Sequence, residues 1–459
     1  MILWQACTPE EEILDTNPPL MLSFSTDTLT FDTVFTTIKT TTKRLSVRNP
    51  NDKAIVIHSI RLQKNLASFF SLTINGKKQN EIQNLKVLGK DSLLILIEAI
   101  LPESKQNLPL KIEDELNFQV GSKTQSVKIV AWGQDAIFYE NPQKKQVIDC
   151  NTIWYAQKPI VILDTLLLLE SGCKLQIEAG ARIHFGNESA LYIAGTLESK
   201  GSFEKPIYFQ SLRTDKDYAV NPSQWKAIFF LEGSKDNILD WTVIKNGQVG
   251  LRIGTPDEDT IPDVTISNSI IKNMGVAGVQ AFTSDVKIYN SLIFACVENA
   301  VALLDGGNYE LIHNTFMGVN VIPQSKNCNG FVRNVPLIYL TNYLDISGQR
   351  LKAPLFVKMT NNLIWGDAEE EVGLFEDKSE GFEVVPKNNL IRTKSTFWQR
   401  NGNILNINPK TKGKRCEDVF ELEADSPAID AGISTFLTND LKNQPREDKP
   451  DIGAFEYKN

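Results

Sequence analysis

One column of residues, recurring once every 22 to 27 positions, constrains this 459-residue chain more than any other feature. Four segments align: Leu239–Ile244, Ile266–Ile271, Ile288–Ile293 and Ile312–Met317. Two later copies follow at Thr360–Ile364 and Lys387–Ile391. The aligned column reads Trp241, Asn268, Asn290, Asn314, Asn361 and Asn388, at steps of 27, 22, 24, 47 and 27 residues. The step of 47 spans about two repeats, with an irregular coil or a loop between 320 and 352. A second match, of small residues before a strand, runs through Gly250–Ile253, Gly278–Ala281 and Ala300–Leu303.

A repeat of this length, with two or three short apolar strands in each copy, is what a right-handed parallel β-helix requires. Each coil gives one strand to each of three parallel sheets, and coils stack at about 4.8 Å. A position met once per coil then forms a column along the solenoid. Asparagine suits a bend in such a column because it tolerates left-handed backbone angles, and stacked amides can bond from coil to coil. Asn268, Asn290, Asn314, Asn361 and Asn388 are therefore read as a structural ladder. Leucine-rich repeats share the period, but their spaced leucines and helical segments are absent and β-branched residues dominate.

The segment before about residue 134 has a different texture. Short β-rich stretches such as Thr28–Phe31, Arg44–Val47, Ala54–Ile57, Leu72–Ile74, Leu93–Leu96, Leu116–Phe118 and Val127–Val130 alternate with turn signals. Such a pattern predicts a β-sandwich. Leu45–Asn51 followed by Ile55–Ile57 resembles a strand-turn-strand hairpin of bacterial immunoglobulin-like domains. The predicted fold class is all-β, with an immunoglobulin-like β-sandwich over 22–134 and a right-handed parallel β-helix over 135–459.

Ser171–Phe185, Leu191–Phe209 and Trp225–Phe230 resemble the first coils of bacterial β-helix proteins of the pectate-lyase-like superfamily. Asp425–Gly432 and Asp451–Tyr457 resemble the closing motif of secreted or surface-anchored members. That superfamily mixes lyases, hydrolases and proteins without known activity, so the resemblance implies a shape and not a reaction.

Residues 1–21 read as a tether. Ala6-Cys7, with Ile2 and Leu3 upstream, resembles the lipobox of bacterial lipoproteins, in which Cys7 would carry the lipid. The acidic run Glu10–Glu12 resembles the surface-export signal that follows it in some Gram-negative bacteria. The expected address is the outer membrane or cell surface, with the membrane touched through the anchor alone. No apolar run reaches the length of a membrane-spanning helix. The other cysteines, Cys150, Cys173, Cys296, Cys328 and Cys416, show no C-x-x-C spacing. They are odd in number, so one disulfide could form without the spacing saying which.

Forty-eight basic against 56 acidic side chains exclude the basic face of a nucleic-acid binder. Three histidines leave little for a histidine-dependent triad. His184 reads as an outward-facing or packed ring, His313 as pointing opposite to Ile312, and His58 falls in the sandwich. Asp263 and Asp285 both lie five residues before a ladder asparagine and should stack on adjacent coils. Tyr309 would follow in that column with Glu310 beside it, and Asp305 is close in sequence. These aspartates are the catalytic candidates; two stacked carboxylates could also share a proton or hold calcium, the one cofactor considered. Lys245 and Lys272 share another column, ended by Phe294. Tyr289, Tyr309 and Trp365 are the candidates for stacking on sugar, with Trp225, Trp241, Tyr339, Tyr343 and Trp398 also on the solenoid. No lysine or arginine shares the aspartate column. The expected function is a non-catalytic module binding polysaccharide or another macromolecule, with a polysaccharide lyase or glycoside hydrolase as the alternative.

Overall fold

The computed structural model describes residues 21–458 except 41, 65, 67–68, 104–109, 142–144, 216–217, 255–260, 319–332 and 414–417. Cys7 and all but the last residue of the 1–21 tether, and also Cys328 and Cys416, lie outside the described residues. The chain divides into two compact units, Met1–Ala136 and Ile137–Asn459.

The first unit is a β-sandwich of two five-stranded sheets. Alternation along Ser92–Ala99 turns Leu93, Ile95, Ile97 and Ala99 inward. They pack in one core with Leu45, Val47, Ile57, Phe70, Leu116, Phe118 and Ile129. Lys43–Arg48 and Ile55–Leu62 do not form the expected hairpin, because they belong to different sheets. The turn between them crosses the sandwich and is pinned by buried Asn49. Its Nδ2 donates to the carbonyls of Lys53, Val87 and Leu88 at 3.0–3.2 Å, and its Oδ1 accepts the Asn51 amide.

The second unit is a right-handed parallel β-helix with three stacked sheets. The first sheet has eleven strands, from Ile137–Glu140 to Ile404–Leu405, in chain order. The second runs from Lys145–Val147 to Val372–Phe375, and the third from Thr152–Trp154 to Phe382–Lys387. Two long strands, Ala277–Tyr289 and Asn299–Ile312, pass through both the second and third sheets. Ile183, Ile207, Ile244, Ile271, Ile293, Phe316, Ile364 and Ile391 point into a dry interior. Trp225 stacks on Phe185 there, at 4.2 Å between rings. Trp398, fully buried in a 3-10 turn, fills the interior near the last coil.

From Trp241 onward the bend from the third sheet to the first is made by a doublet. Its first residue sits in the left-handed region: Trp241, Asn268, Asn290, His313, Asn361 and Asn388 have φ of 47–56°. Four predicted ladder asparagines, Asn268, Asn290, Asn361 and Asn388, lie in this column. Asn314 does not, and the expectation for it is corrected by one residue. The second doublet residue forms a separate, inward column of Ser269, Ser291, Asn314, Asn362, Asn389 and Asn403. Each side-chain oxygen accepts the backbone N–H of the same position one level earlier, at 2.8–3.1 Å, from Thr242 to Asn389. Asn314, Asn362 and Asn389 also donate through Nδ2 to the carbonyls of Ile288, Leu311 and Met359. His313 takes the outward place on that coil and asparagine only the inner one, so the step from Asn290 is 23 residues and not 24. One residue of that step is a bulge: Phe282 faces Leu304 but Ser284 faces Gly307, with positive φ at Asp305, Gly306 and Gly307.

The outward column receives the C-terminal segment. Phe420, Leu422, Ala428, Leu441, Ile452, Ala454 and Phe455 cover the outer face of the first sheet at Leu292, Phe294, Met317, Leu363 and Leu390. Asn361 exchanges hydrogen bonds with the Ile433 backbone, Asn388 donates to Ala431 O, and Arg446 donates to Asn290 Oδ1 at 2.7 Å. The two motifs read as closing therefore lie along the flank of the solenoid. His313 joins this seam, its Nδ1 3.3 Å from Gly453 O while its Nε2 accepts from Asn361 Nδ2 at 2.8 Å. This arrangement needs a neutral ring. Burial, then the Arg446 charge, lowers its pKa to about 2. Burial likewise lowers His184 to about 3, and raises Asp451 to about 6.

Two outcomes are expected. Asn362→Ala leaves buried amides on two levels without partners and should cost about 3 kcal/mol, read as a lower urea midpoint. Each depressed histidine contributes stability that is full above pH 6.5 and lost as pH falls toward its folded value. The raised Asp451 acts oppositely: its contribution is present below its ordinary 3.8 and lost as pH rises through about 6. His313→Asn, which restores the column's usual residue, should lower the slope of stability against pH between pH 6 and 4 by about 1.4 kcal/mol per unit.

Candidate functional site

At the bend between the second and third sheets the solenoid carries a groove of about 690 Å³, lined across successive coils by Asn151, Lys174, Thr196, Glu198, Asp236 and Thr265 among others. Asn151 and Asp236 have positive φ, as does Gly172, so the backbone turns sharply along this edge. On the first two coils the bend is fixed by a disulfide between Cys150 and Cys173. Glu198 on the groove floor accepts Gln176 Nε2 at 2.9 Å and pairs with Lys174 at 2.9 Å and Lys200 at 3.2 Å. The Gln176 bond and then the two lysines hold its carboxyl down at about 2.

Farther along the same edge come the two predicted aspartates, which the structure places on neighbouring levels. Asp263 is buried, and its Oδ2 accepts the Asp285 backbone N–H at 2.7 Å. Asp285 accepts Asn308 Nδ2 at 2.7 Å. Its neighbour on the next coil is Asn308 and not Tyr309, because the column five residues on runs through His313 and not Asn314. Phe356, 39% exposed, follows Asn308 on the coil after that. Two residues farther along the strands, Lys287, Glu310 and Lys358 form a row on the outer face of the third sheet. Glu310 accepts Lys358 Nζ at 2.7 Å and the Tyr289 hydroxyl. Burial raises the Glu310 pKa, but the bonds from Lys358 and Tyr289 outweigh it and the net shift is downward. Burial, then Glu310, pushes the Tyr289 phenol well above its ordinary range. This cluster, with lysines and a carboxylate converging on consecutive coils, had no counterpart in the sequence reading.

The remaining predicted residues do not join it. Asp305 lies in the bend, where Thr283 Oγ1 donates to its carbonyl at 2.6 Å, and burial raises its carboxyl. Tyr309 points into the solenoid interior and its hydroxyl donates to Gly306 O, so it cannot be a sugar platform. Tyr289 is buried beneath Phe436, edge to face at 5.1 Å. Trp365 packs under the C-terminal segment with Arg392 over its ring. Lys245, Lys272 and Phe294 do align on one outward column of the first sheet, where Phe294 meets Phe420. His184, buried on that sheet, has Nδ1 3.2 Å from Ser211 O. Among the described residues no group of three or more His, Cys, Asp or Glu side chains could hold a metal ion.

Aromatic side chains instead mark the outer face of the second sheet. Leu168, Tyr192, Phe229, Arg252, Gln280, Ala302 and Tyr339 follow one another in register there. Tyr192 stacks on Phe229 at 4.5 Å with rings 5° apart, and Tyr339 stacks on Phe375 at 4.3 Å. All four rings are half-buried. Arg252 extends over Phe282 between the two pairs, 4.9 Å from its ring. The signal for this row was the strand alternation in Ala190–Ile193 and Ile228–Phe230, which puts Tyr192 and Phe229 outward.

Residues 135–316 match the family model described as the right-handed β-helix region. No curated protein matches the chain. Among solved structures, the chain is similar to a protein of unknown function from Porphyromonas gingivalis, at 16% identity and a TM-score of 0.20 over 29% of this chain. The match spans 57% of that protein's length. It is also similar to the A-module of a mannuronan C-5 epimerase from Azotobacter vinelandii, at 12% identity and a TM-score of 0.27, covering 60% of this chain and 80% of that one. The catalytic unit of an α-1,3-glucanase from Streptomyces thermodiastaticus matches at 12% identity and a TM-score of 0.25, covering 76% and 78%.

Proposed function

We propose that this chain is a non-catalytic glycan-binding module of the bacterial cell envelope. The observation that carries the reading is the aromatic row of the second sheet. Tyr192 and Tyr339 stand five coils apart, about 24 Å at one strand spacing per coil. Each is stacked on a neighbouring ring, so two pairs of half-buried apolar rings stand on one rigid surface. Sugar rings stack on such faces, and the rigid scaffold spends little conformational entropy on binding. The groove beside the bend adds hydrogen-bonding groups along the same axis.

A second reading, a polysaccharide-cleaving enzyme, is favoured by the row of Lys287, Glu310 and Lys358 with Tyr289. Catalysis needs a base or acid poised near the working pH. Glu310 is held ionised by its partners and Tyr289 is held protonated, so neither is poised. We place the module at the outer membrane or cell surface, anchored by lipid on Cys7. The Cys150–Cys173 disulfide suits an oxidising compartment outside the cytoplasm.

Affinity electrophoresis in gels containing polysaccharides tests the reading. At least one polymer should retard the protein, and the double variant Tyr192→Ala, Phe229→Ala should bind it about tenfold more weakly. Equal retardation of both forms would sink the aromatic assignment. New reducing ends or unsaturated products that vanish in Glu310→Gln would establish the enzyme reading instead. For the anchor, Cys7→Ala expressed behind a complete native leader should move from the membrane fraction to the soluble fraction.

A further inference from the structure

We propose that Arg252 makes the aromatic row of the second sheet a site for anionic glycans, its guanidinium taking a carboxylate or sulfate that the polymer carries between the two ring pairs. This inference rests on the glycan-binding reading and adds the class of ligand. The outward column from Val147 to Gly373, through Tyr192, Phe229 and Tyr339, holds one charge, that of Arg252. Two residues before this column, Lys145, Leu166 and Ala190 are in register. Two residues after it come Gly254, Phe282 and Leu304, with Thr341 and Phe375 at the far end. These flanking rows add a second cation and no carboxylate, so the face is not neutralised from within the sheet.

Arg252 is exposed, and no carboxylate of the described residues pairs with it. Its neighbours in register are Phe229 and Gln280, one level to either side. Phe282, whose ring centre lies 4.9 Å from the guanidinium carbon, holds the group against the sheet. Guanidinium donors lie in the plane of the group, so contact through its face leaves the N–H edge free for a planar oxyanion. A Cβ added at Gly254, two residues on, would meet nothing within 4 Å, so the space beside the guanidinium is open. The half-buried amide of Gln280 serves neighbouring hydroxyls. The acidic run at 257–259 follows in the chain and lies outside the described residues. An arginine neutralised by that run would contribute nothing, and its removal would then leave binding unchanged.

The test is affinity electrophoresis of the full chain in gels containing carboxylated (polygalacturonate, alginate), sulfated (dextran sulfate) or neutral (glucan, mannan, xylan) polymers. With a net charge of −8 the chain as a whole repels anionic polymers, so retardation by one reports a local cation. At least one anionic polymer should retard the wild type more than any neutral one does, and the class that does so names the oxyanion. Arg252→Gln, which keeps most of the stem and an amide, should weaken that binding about tenfold, the worth of one charge-assisted hydrogen bond. Arg252→Lys keeps the charge without the fork and should fall between the two. Both substitutions are at an exposed side chain and should keep the wild-type unfolding midpoint. A neutral polymer retarding the wild type as strongly as every anionic one, or an anionic polymer bound equally by wild type and Arg252→Gln, would overturn the anionic assignment and leave the glycan-binding reading standing. Retardation by no polymer of any class would overturn that reading, and this inference with it.

Discussion

The backbone N–H groups at the bend from the third sheet to the first are the constraint on which the solenoid depends. Strands there change direction, and the regular ladder between coils cannot continue. An amide left unpaired inside the stack costs about 1–3 kcal/mol, and the bend recurs on every coil. The chain meets this with a side-chain oxygen one level along, from Ser269 through Asn403. Where asparagine replaces serine, its Nδ2 also reaches a carbonyl of the preceding level, so each asparagine holds that level by two bonds. That column fixes the spacing of the levels. The left-handed residue before it then turns its side chain outward, where the C-terminal segment finds a row of amides to dock on.

Much of this was legible in the sequence, and the rest was hidden for identifiable reasons. The period and the asparagines that mark it gave the β-helix and the bend. The letters alone could not say which member of each doublet faces in. Asn361-Asn362 and Asn388-Asn389 carry asparagine at both positions, and His313-Asn314 carries it only at the inner one. Matching asparagine to asparagine therefore slid that coil by one residue. The bulge at Asp305-Gly306-Gly307 adds one residue to the preceding step of 22, giving 23 and not the 24 that joins Asn290 to Asn314.

The same residue decided the fate of the candidate site. In a strand a shift of one position exchanges the two faces. With the bulge counted, Tyr309 turns into the core and Glu310 turns out to meet Tyr289 and Lys358. Asp263 and Asp285 precede the bulge, and their neighbouring positions could be read directly. The aromatic row of the second sheet escaped notice because Tyr192 and Phe229 are 37 residues apart, across an irregular stretch at 212–224 that breaks the period. Exposure separates Tyr192 from Trp225 or Trp398, and composition carries no trace of it.

Under the proposed glycan-binding function, the two faces divide the work that a polymer-binding surface needs. On the third sheet, charges neutralise one another in short rows, which keeps the face hydrated and discourages sheet-to-sheet association. On the second sheet, stacked rings half-bury one another, which limits nonspecific adhesion while leaving part of each pair accessible. Aromatic stacking is worth only about 0.5–1.5 kcal/mol per contact. A ligand spanning a single platform would bind weakly. A chain long enough to reach both, about five coils apart, makes the second contact from a high effective concentration. The spacing of the platforms on an unbending scaffold therefore favours a polymer over any of its fragments.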